Sequence, residues 1–276
     1  MFPFLDLHFI KIPMYGLCIV VGGIIGCSLV CLICKKLKKN ILDFIIVAAV
    51  GIGFSFVFAK LFYIFVTYPI NLIPKLIYKM FTDPKNFPMS GGFVFYGGVF
   101  GGALGYFVGT KIAKCKFTDF NETLTFLVAF VHSFGRLGCF CAGCCYGIHY
   151  NGPFAIRYVN PISPVEPNVG IFPVQLLESA LLMIFAITMF ILIMKNKKVT
   201  IFYYTIYYSI VRFCLEYLRG DVERGKLWIF STSQWISIFL FVASIICIVV
   251  LGIVKRNRKL PANQPADGGQ TNALKN

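Results

Sequence analysis

The sequence predicts an all-α, polytopic membrane protein of seven transmembrane helices, and three observations carry that fold class. Of 276 residues, 58% are hydrophobic, 17% aromatic and only 13% charged. The apolar residues come in runs of about twenty rather than in short amphipathic periods, the length a bilayer core requires. Lysines and arginines gather in short clusters after alternate runs, the pattern of cytoplasmic loops.

Charge clusters and Pro or Gly breaks divide the chain into spans at 12–34, 41–68, 91–110, 120–142, 173–194, 201–218 and 230–254. Each is long enough to cross at about 1.5 Å per residue, the sixth only just. Residues 1–259 form one seven-helix domain, with loops 69–90 and 148–172 on the side opposite the basic clusters. Both loops are rich in Pro and aromatics, suited to receiving a peptide or closing as a lid, and equally to an ordinary ectodomain. The tail 260–276, PANQPADGGQTNALKN from residue 261 onward, reads as disordered cytoplasmic chain.

Orientation follows from the basic loops. Lys35, Lys36, Lys38 and Lys39 follow the first span, Lys111, Lys114 and Lys116 the third, Lys195, Lys197 and Lys198 the fifth, and Lys255, Arg256, Arg258 and Lys259 the last. All four clusters fall on one side, the cytoplasm, which puts the N-terminus outside and the C-terminus inside. The opposite side carries Asp6, Asp83, Glu166, Asp221 and Glu223, although Lys75, Lys79 and Lys85 fit the rule imperfectly. The net charge of +15 mostly reflects those clusters, which face anionic headgroups, so nucleic acid is not needed to explain it. There is no internal repeat, and the first apolar run, about 23 residues long, reads as a retained anchor rather than a signal peptide.

Charges inside the spans are informative because an unpaired one at mid-bilayer costs at least about 2.5 kcal/mol. Beyond the first few residues of each span they are Lys60, Arg136, Glu178, Arg212 and Glu216. Lys60 pairs with a buried acid or is a local structural charge. Arg212 and Glu216, four residues apart, lie on one helical face and can pair with each other, structurally or functionally. Two arginines on spans ending toward the same face are harder to explain as packing. Their planar forks of donors suit a phosphodiester, and a phospholipid is the anionic ligand that arrives from within the membrane.

Gly135, Arg136 and Gly138, followed by Gly143 and Gly147, resemble the signature of the bacterial prolipoprotein diacylglyceryl transferases. IPMYGL, with Tyr15, resembles the family's first-helix motif, and GGFVFYGGVFGG (91–102) its glycine-rich third helix. FPVQLLES (172–179) is similar to its Pro-x-Gln-x-x-Glu segment, YYSIVRFCLEYLRGD (207–221) to its Arg-Phe-x-x-Glu-x-x-Arg helix, and STSQWIS (231–237) to the start of its last helix. Six segments in family order span nearly the whole chain.

The resemblance implies a multi-pass enzyme of the bacterial inner membrane with its active site toward the outer face. Such an enzyme transfers the diacylglyceryl group of phosphatidylglycerol to the lipobox cysteine of a preprolipoprotein, forming a thioether and releasing glycerol phosphate. Phosphatidylglycerol, the lipobox peptide and the bilayer are the implied partners, and no metal or organic cofactor is implied. Arg136 and Arg212 would hold the phosphate. Tyr96 stands where many members carry His; with an ordinary pKa of about 10 it suits proton relay or headgroup orientation, or serves as an interfacial anchor. Tyr208 matches a family tyrosine, and Glu216 and Arg219 complete its helix. Tyr15, Gly97, Gly98, Gly135, Gly138, Gly147, Gln175, Glu178 and Arg219 form the implied substrate-binding set, although glycines such as Gly97 and Gly98 also mark close helix packing.

The departures fall in the signature itself, HSFGRLGCFCAGCCYG (132–147). Cys139, Ala142 and Cys144 stand where typical members have Asn, Asn and Glu. His132, one turn before Arg136, and His149 are the nearby polar replacements, or structural residues. Cys139, Cys141, Cys144 and Cys145 allow three readings: small apolar filling, a disulfide or vicinal redox pair, and metal ligation. The run lacks the separated Cys-x-x-Cys knuckles of ordinary zinc sites. The lost polar positions keep open a family paralogue with another acceptor or a thiol-redox role. A non-enzymatic lipid-binding protein is the third reading, without a half-to-half repeat to support it.

Overall fold

The computed structural model describes residues 4–6, 11–83, 94–158, 168–220 and 226–257. Lys85, Gly91, Gly92, Glu166, Asp221, Glu223, Arg258, Lys259 and the tail lie outside them. Eight helices form among the described residues: α1 (Met14–Leu37), α2 (Ile41–Thr67), α3 (Ile73–Thr82), α4 (Phe95–Ile112), α5 (Asn121–Ala142), α6 (Val174–Met194), α7 (Ile201–Leu215) and α8 (Thr232–Asn257). The seven long ones fall on the seven expected runs. The addition is α3, a short helix opened by Pro74 inside loop 69–90. The described residues also include three two-stranded antiparallel pairs: β1 (Phe4–Asp6) with β2 (Lys11–Pro13), β3 (Ile156–Arg157) with β4 (Gly170–Ile171), and β5 (Lys226–Leu227) with β6 (Phe230–Ser231).

Five helices, α1, α2, α5, α6 and α8, are long and apolar enough to cross a membrane. This is an all-helical, multi-pass architecture. Helix α4 has 18 residues and α7 only 15, about 22 Å of rise. The end of α7 tightens into a 3-10 turn over Glu216–Leu218.

The helices associate in groups. Helix α2 runs against α4; α5 lies between α1 and α6; and α7 packs on α8 while also touching α5 and α6. The α2–α4 contact is a glycine zipper. A Cβ at Gly97 would meet the Phe58 carbonyl oxygen at 2.6 Å, and one at Gly105 the Cα of Gly51 at 2.9 Å. Backbones meet this closely only where side chains are absent, the usual device of membrane helix pairs. An apolar cluster of Val30, Ile33, Phe44, Val47, Phe126, Ala129, Phe185, Ala186 and Ile193 ties α1, α2, α5 and α6 together.

Two of the basic loops meet. Lys39, between α1 and α2, bonds Asp119, between α4 and α5, at 2.9 Å. The opposite end carries the polar side chains. It is built from the start of α1, the C-terminal ends of α5 and α7, and the N-terminal ends of α6 and α8. Residues 146–150 run between 218–220 and 170–172 as a small three-ribbon cap. Ile148 N–H donates to Leu218 O, Gly220 N–H to Tyr146 O, Phe172 N–H to Ile148 O and Tyr150 N–H to Gly170 O, all within 2.9–3.1 Å. Gly147 permits the approach, since a Cβ there would meet the carbonyl oxygens of Phe172 and Leu218.

Candidate functional site

Arg136 sits near the end of α5 and faces the first two turns of α6. Its Nε lies 3.1 Å from Glu178 Oε1, and Nη2 donates to the Tyr208 hydroxyl of α7 at 3.2 Å. Tyr208 in turn donates to Glu178 Oε1 at 3.0 Å. Three helices thus contribute one member each to a closed triangle. Glu178 is 1% exposed, so the pair with Arg136 is a buried one, costly to break from either side. Its second oxygen, Oε2, is buried and has no hydrogen-bond partner among the described residues.

One turn after Tyr208, Arg212 is held by Glu216 Oε2 at 2.8 Å and donates Nη2 to Ser233 Oγ of α8 at 3.0 Å. Nη1 of Arg212 is buried without a partner among the described residues. An unpaired guanidinium N–H costs free energy when buried unless a ligand completes it. Tyr208 and His132 each lie within electrostatic reach of both Arg136 and Arg212, so the two cations share these two neighbours. His132 Nδ1 is 2.8 Å from the Tyr204 hydroxyl, and its ring packs edge-on against Tyr208. His132 therefore supports the tyrosines.

Gln175 Nε2 donates to Cys144 O at 2.8 Å and to the Tyr158 hydroxyl at 3.2 Å, fixing the loop after α5. Burial pushes the Tyr158 phenol up to about 12. The backbone of Tyr15, at the start of α1, lies against Gly138, where a Cβ would sit 3.0 Å from it. Gly135 has open space at the same test, and Gly147 pairs antiparallel with Arg219. Tyr15, Arg136, Gly138, Gly147, Gln175, Glu178, Tyr208, Arg212, Glu216 and Arg219 therefore gather at one end of the bundle. Tyr96, Gly97 and Gly98 lie on α4, and the two glycines face α2, with Ser55 Oγ donating to Gly98 O at 2.9 Å. Lys60, 6% exposed, places its ammonium 5.0 Å from the Tyr63 ring centroid.

The four signature cysteines separate into two sets. Helix α5 ends at Ala142, and Gly143, at φ 73°, reverses the chain in a left-handed cap, so that Cys144 N–H donates to Cys139 O at 3.1 Å. The sulfurs of Cys139, Cys144 and Cys145 all lie within 4.8 Å of one another. Cys141 points elsewhere and meets the thiol of Cys18 on α1. Hydrogen bonds from Cys139 and Cys144, together with Arg219, hold the Cys145 thiol below the ordinary cysteine range. Sequence reading missed this convergence, as it missed Ser233. Both depend on a chain reversal or helix pairing, although Ser233 lies inside the quoted STSQWIS.

Comparison with known proteins agrees with this arrangement. The family model for prolipoprotein diacylglyceryl transferase matches residues 3–250. A Clostridium perfringens protein named phosphatidylglycerol–prolipoprotein diacylglyceryl transferase 2 is 35% identical over 63% of this chain and 64% of its own length. Transferases of the same name are 32% identical in Clostridium tetani (87% of this chain, 93% of that one) and 30% identical in Streptococcus mutans (92% and 95%). With the family model matching residues 3–250 and the C. tetani and S. mutans relatives aligned over most of both chains, the chain belongs to the prolipoprotein diacylglyceryl transferase family.

Proposed function

We propose that this protein transfers the diacylglyceryl group of phosphatidylglycerol to the lipobox cysteine thiol of preprolipoproteins, releasing glycerol phosphate. The carrying observation is Arg212 Nη1, buried and unpartnered among the described residues, with a second guanidinium, Arg136, sharing Tyr208 and His132 as neighbours. In the transfer, a thiolate attacks the glyceryl carbon, the carbon–oxygen bond breaks, and its electron pair leaves on the phosphate. Arg212 Nη1 offers that oxygen a charge-assisted hydrogen bond, and Arg136 supplies the second cation. Because Glu178 and Tyr208 already hold Arg136, it need not reorganise as charge develops. Glu178 Oε2 is a further buried acceptor without a partner among the described residues.

The same reading places the protein in the bacterial inner membrane with seven spans, the N-terminus and the arginine site outside and the C-terminus in the cytoplasm. The Lys39–Asp119 contact supports it by joining two basic loops at the end away from the arginines. A C-terminal fluorescent or phosphatase fusion tests the orientation: fluorescence with no phosphatase activity is expected, and the reverse would invert it. For the activity, purified protein, phosphatidylglycerol and a lipobox peptide are incubated and the peptide weighed by mass spectrometry. A diacylglyceryl gain is expected. No gain beside an active C. tetani enzyme would reject the reaction.

A further inference from the structure

We propose that Cys139, Cys144 and Cys145 form a three-thiolate site for a thiophilic metal ion of the zinc type, whose open fourth position takes the acceptor thiol. This role rests on the transfer reaction above, whereas the metal site itself does not.

The geometry points to a ligand set. An ion with metal–sulfur bonds of about 2.3 Å holds its thiolates about 3.8–4 Å apart, and the three sulfurs already lie within 4.8 Å of one another. A disulfide would consume two of them and leave the third without purpose. No disulfide joins them, and all three are buried or half-buried.

The backbone is strained toward this convergence. Cys145 has φ 58°, the left-handed region that residues with a Cβ enter at a cost of about 1–3 kcal/mol. That conformation is held by the cap, through Gly220 N–H on Tyr146 O and the Gly147–Arg219 pairing. Gln175 clamps the Cys144 carbonyl from α6. Such over-determination is characteristic of a first coordination sphere fixed by its supporting residues.

The charges fit as well. Three thiolates around a divalent ion carry one net negative charge. Arg219 hydrogen-bonds Cys145, and Arg136 lies within electrostatic reach of Cys139 and Cys145. Thiolate ligands select soft or borderline ions such as zinc or copper(I) over magnesium or calcium. Three protein ligands with a fourth position open is the arrangement of catalytic rather than structural zinc.

Cys139 lies three residues after Arg136, on the same side of α5. An acceptor thiol bound at the fourth position would lose its proton to solvent. The resulting thiolate would attack the glyceryl carbon, and the bonding pair would depart with the phosphate held by the arginines. Metal coordination deprotonates a thiol outright at neutral pH, which supplies the activation that an ordinary cysteine of pKa about 8.5 lacks.

The test uses full-length protein purified in detergent under reducing conditions, without a metal-affinity step. Elemental analysis is expected to find about one zinc or copper per chain in the parent and in Cys141→Ala, and loss of it in Cys139→Ser, Cys144→Ser and Cys145→Ser. Cobalt(II) replacing the native ion is expected to show sulfur-to-metal charge-transfer absorption that grows when a lipobox peptide is added and is unchanged by the same peptide with Ser for Cys. A parent protein without metal that also fails to take up cobalt would overturn the proposal, as would metal retained by all three serine variants. Bound cobalt indifferent to the cysteine peptide would overturn the activating role. Transfer measured in the same samples separates the two ideas: transfer without metal refutes the site alone, and metal without transfer refutes the reaction alone.

Discussion

Arg136 Nε lies 3.1 Å from Glu178 Oε1, joining α5 to α6 through a carboxylate that is 1% exposed. Removing one member strands the other. Arg136→Ala is expected to lower stability by about 3–5 kcal/mol and abolish transfer. The double variant Arg136→Met with Glu178→Leu removes both charges, so its melting temperature in detergent should recover most of that loss while transfer stays absent. An active double variant would dismiss Arg136 from the phosphate clamp.

Tyr208 both accepts from Arg136 and donates to Glu178. Tyr208→Phe keeps the ring and its packing on His132 but deletes both bonds. A loss of about 1.5–3 kcal/mol is expected from hydrogen bonds to charged groups. Initial rates should fall about 10- to 100-fold, because the guanidinium is no longer held in one orientation. Rates equal to the parent would show that Glu178 alone orients the arginine.

The glycines of α4 make a contrast with Gly23 of α1. Gly105→Ala would put a methyl group 2.9 Å from the Gly51 Cα and is expected to destabilise by about 1–3 kcal/mol as α2 and α4 are forced apart. At Gly23, on α1, nothing lies within 4 Å of the added Cβ. Gly23→Ala should therefore raise the melting temperature through helix propensity, worth up to about 1 kcal/mol. Equal effects at the two positions would argue against the zipper.

The Lys39–Asp119 contact has a pH signature. The hydrogen bond from Lys39 holds the Asp119 carboxyl below the ordinary carboxylate range. The folded state therefore favours the ionised form, and the contribution is complete above the unfolded value near 4 and lost as pH falls through the lower folded value. Asp119→Asn should cost about 0.2–1 kcal/mol at pH 7 in low salt. The gap between parent and variant should shrink in high salt and close in acid. A gap that widens in acid would contradict the assigned direction.

Much of this architecture was legible because bilayer physics is strict. Uninterrupted apolar length fixed where α1, α2, α5, α6 and α8 would lie, and lysine clusters showed which loops share an end, as Lys39 and Asp119 now do. Arg212 and Glu216 could be paired in advance because helical spacing alone brings them together. The partnership of Arg136 with Glu178 was hidden because it depends on how α5 meets α6, 42 positions later, which no local pattern encodes. Residues 139–145 were misleading for a related reason. Continued as a helix, their sulfurs scatter over several faces, and only the reversal at Gly143 brings three of the four together. The glycines at 97 and 98 were ambiguous between lipid contact and packing, and the approach of α2 accounts for them by packing.

Ser233, at the start of α8, gives Arg212 on α7 a partner from another helix. During synthesis the arginine enters the membrane well before the hydroxyl that steadies it. Until α8 is laid alongside, Arg212 has Glu216 for company on its own helix but lacks its neighbour's oxygen. The order of translation thereby imposes an order of maturation, in which the arginine site is not finished until α8 has been inserted.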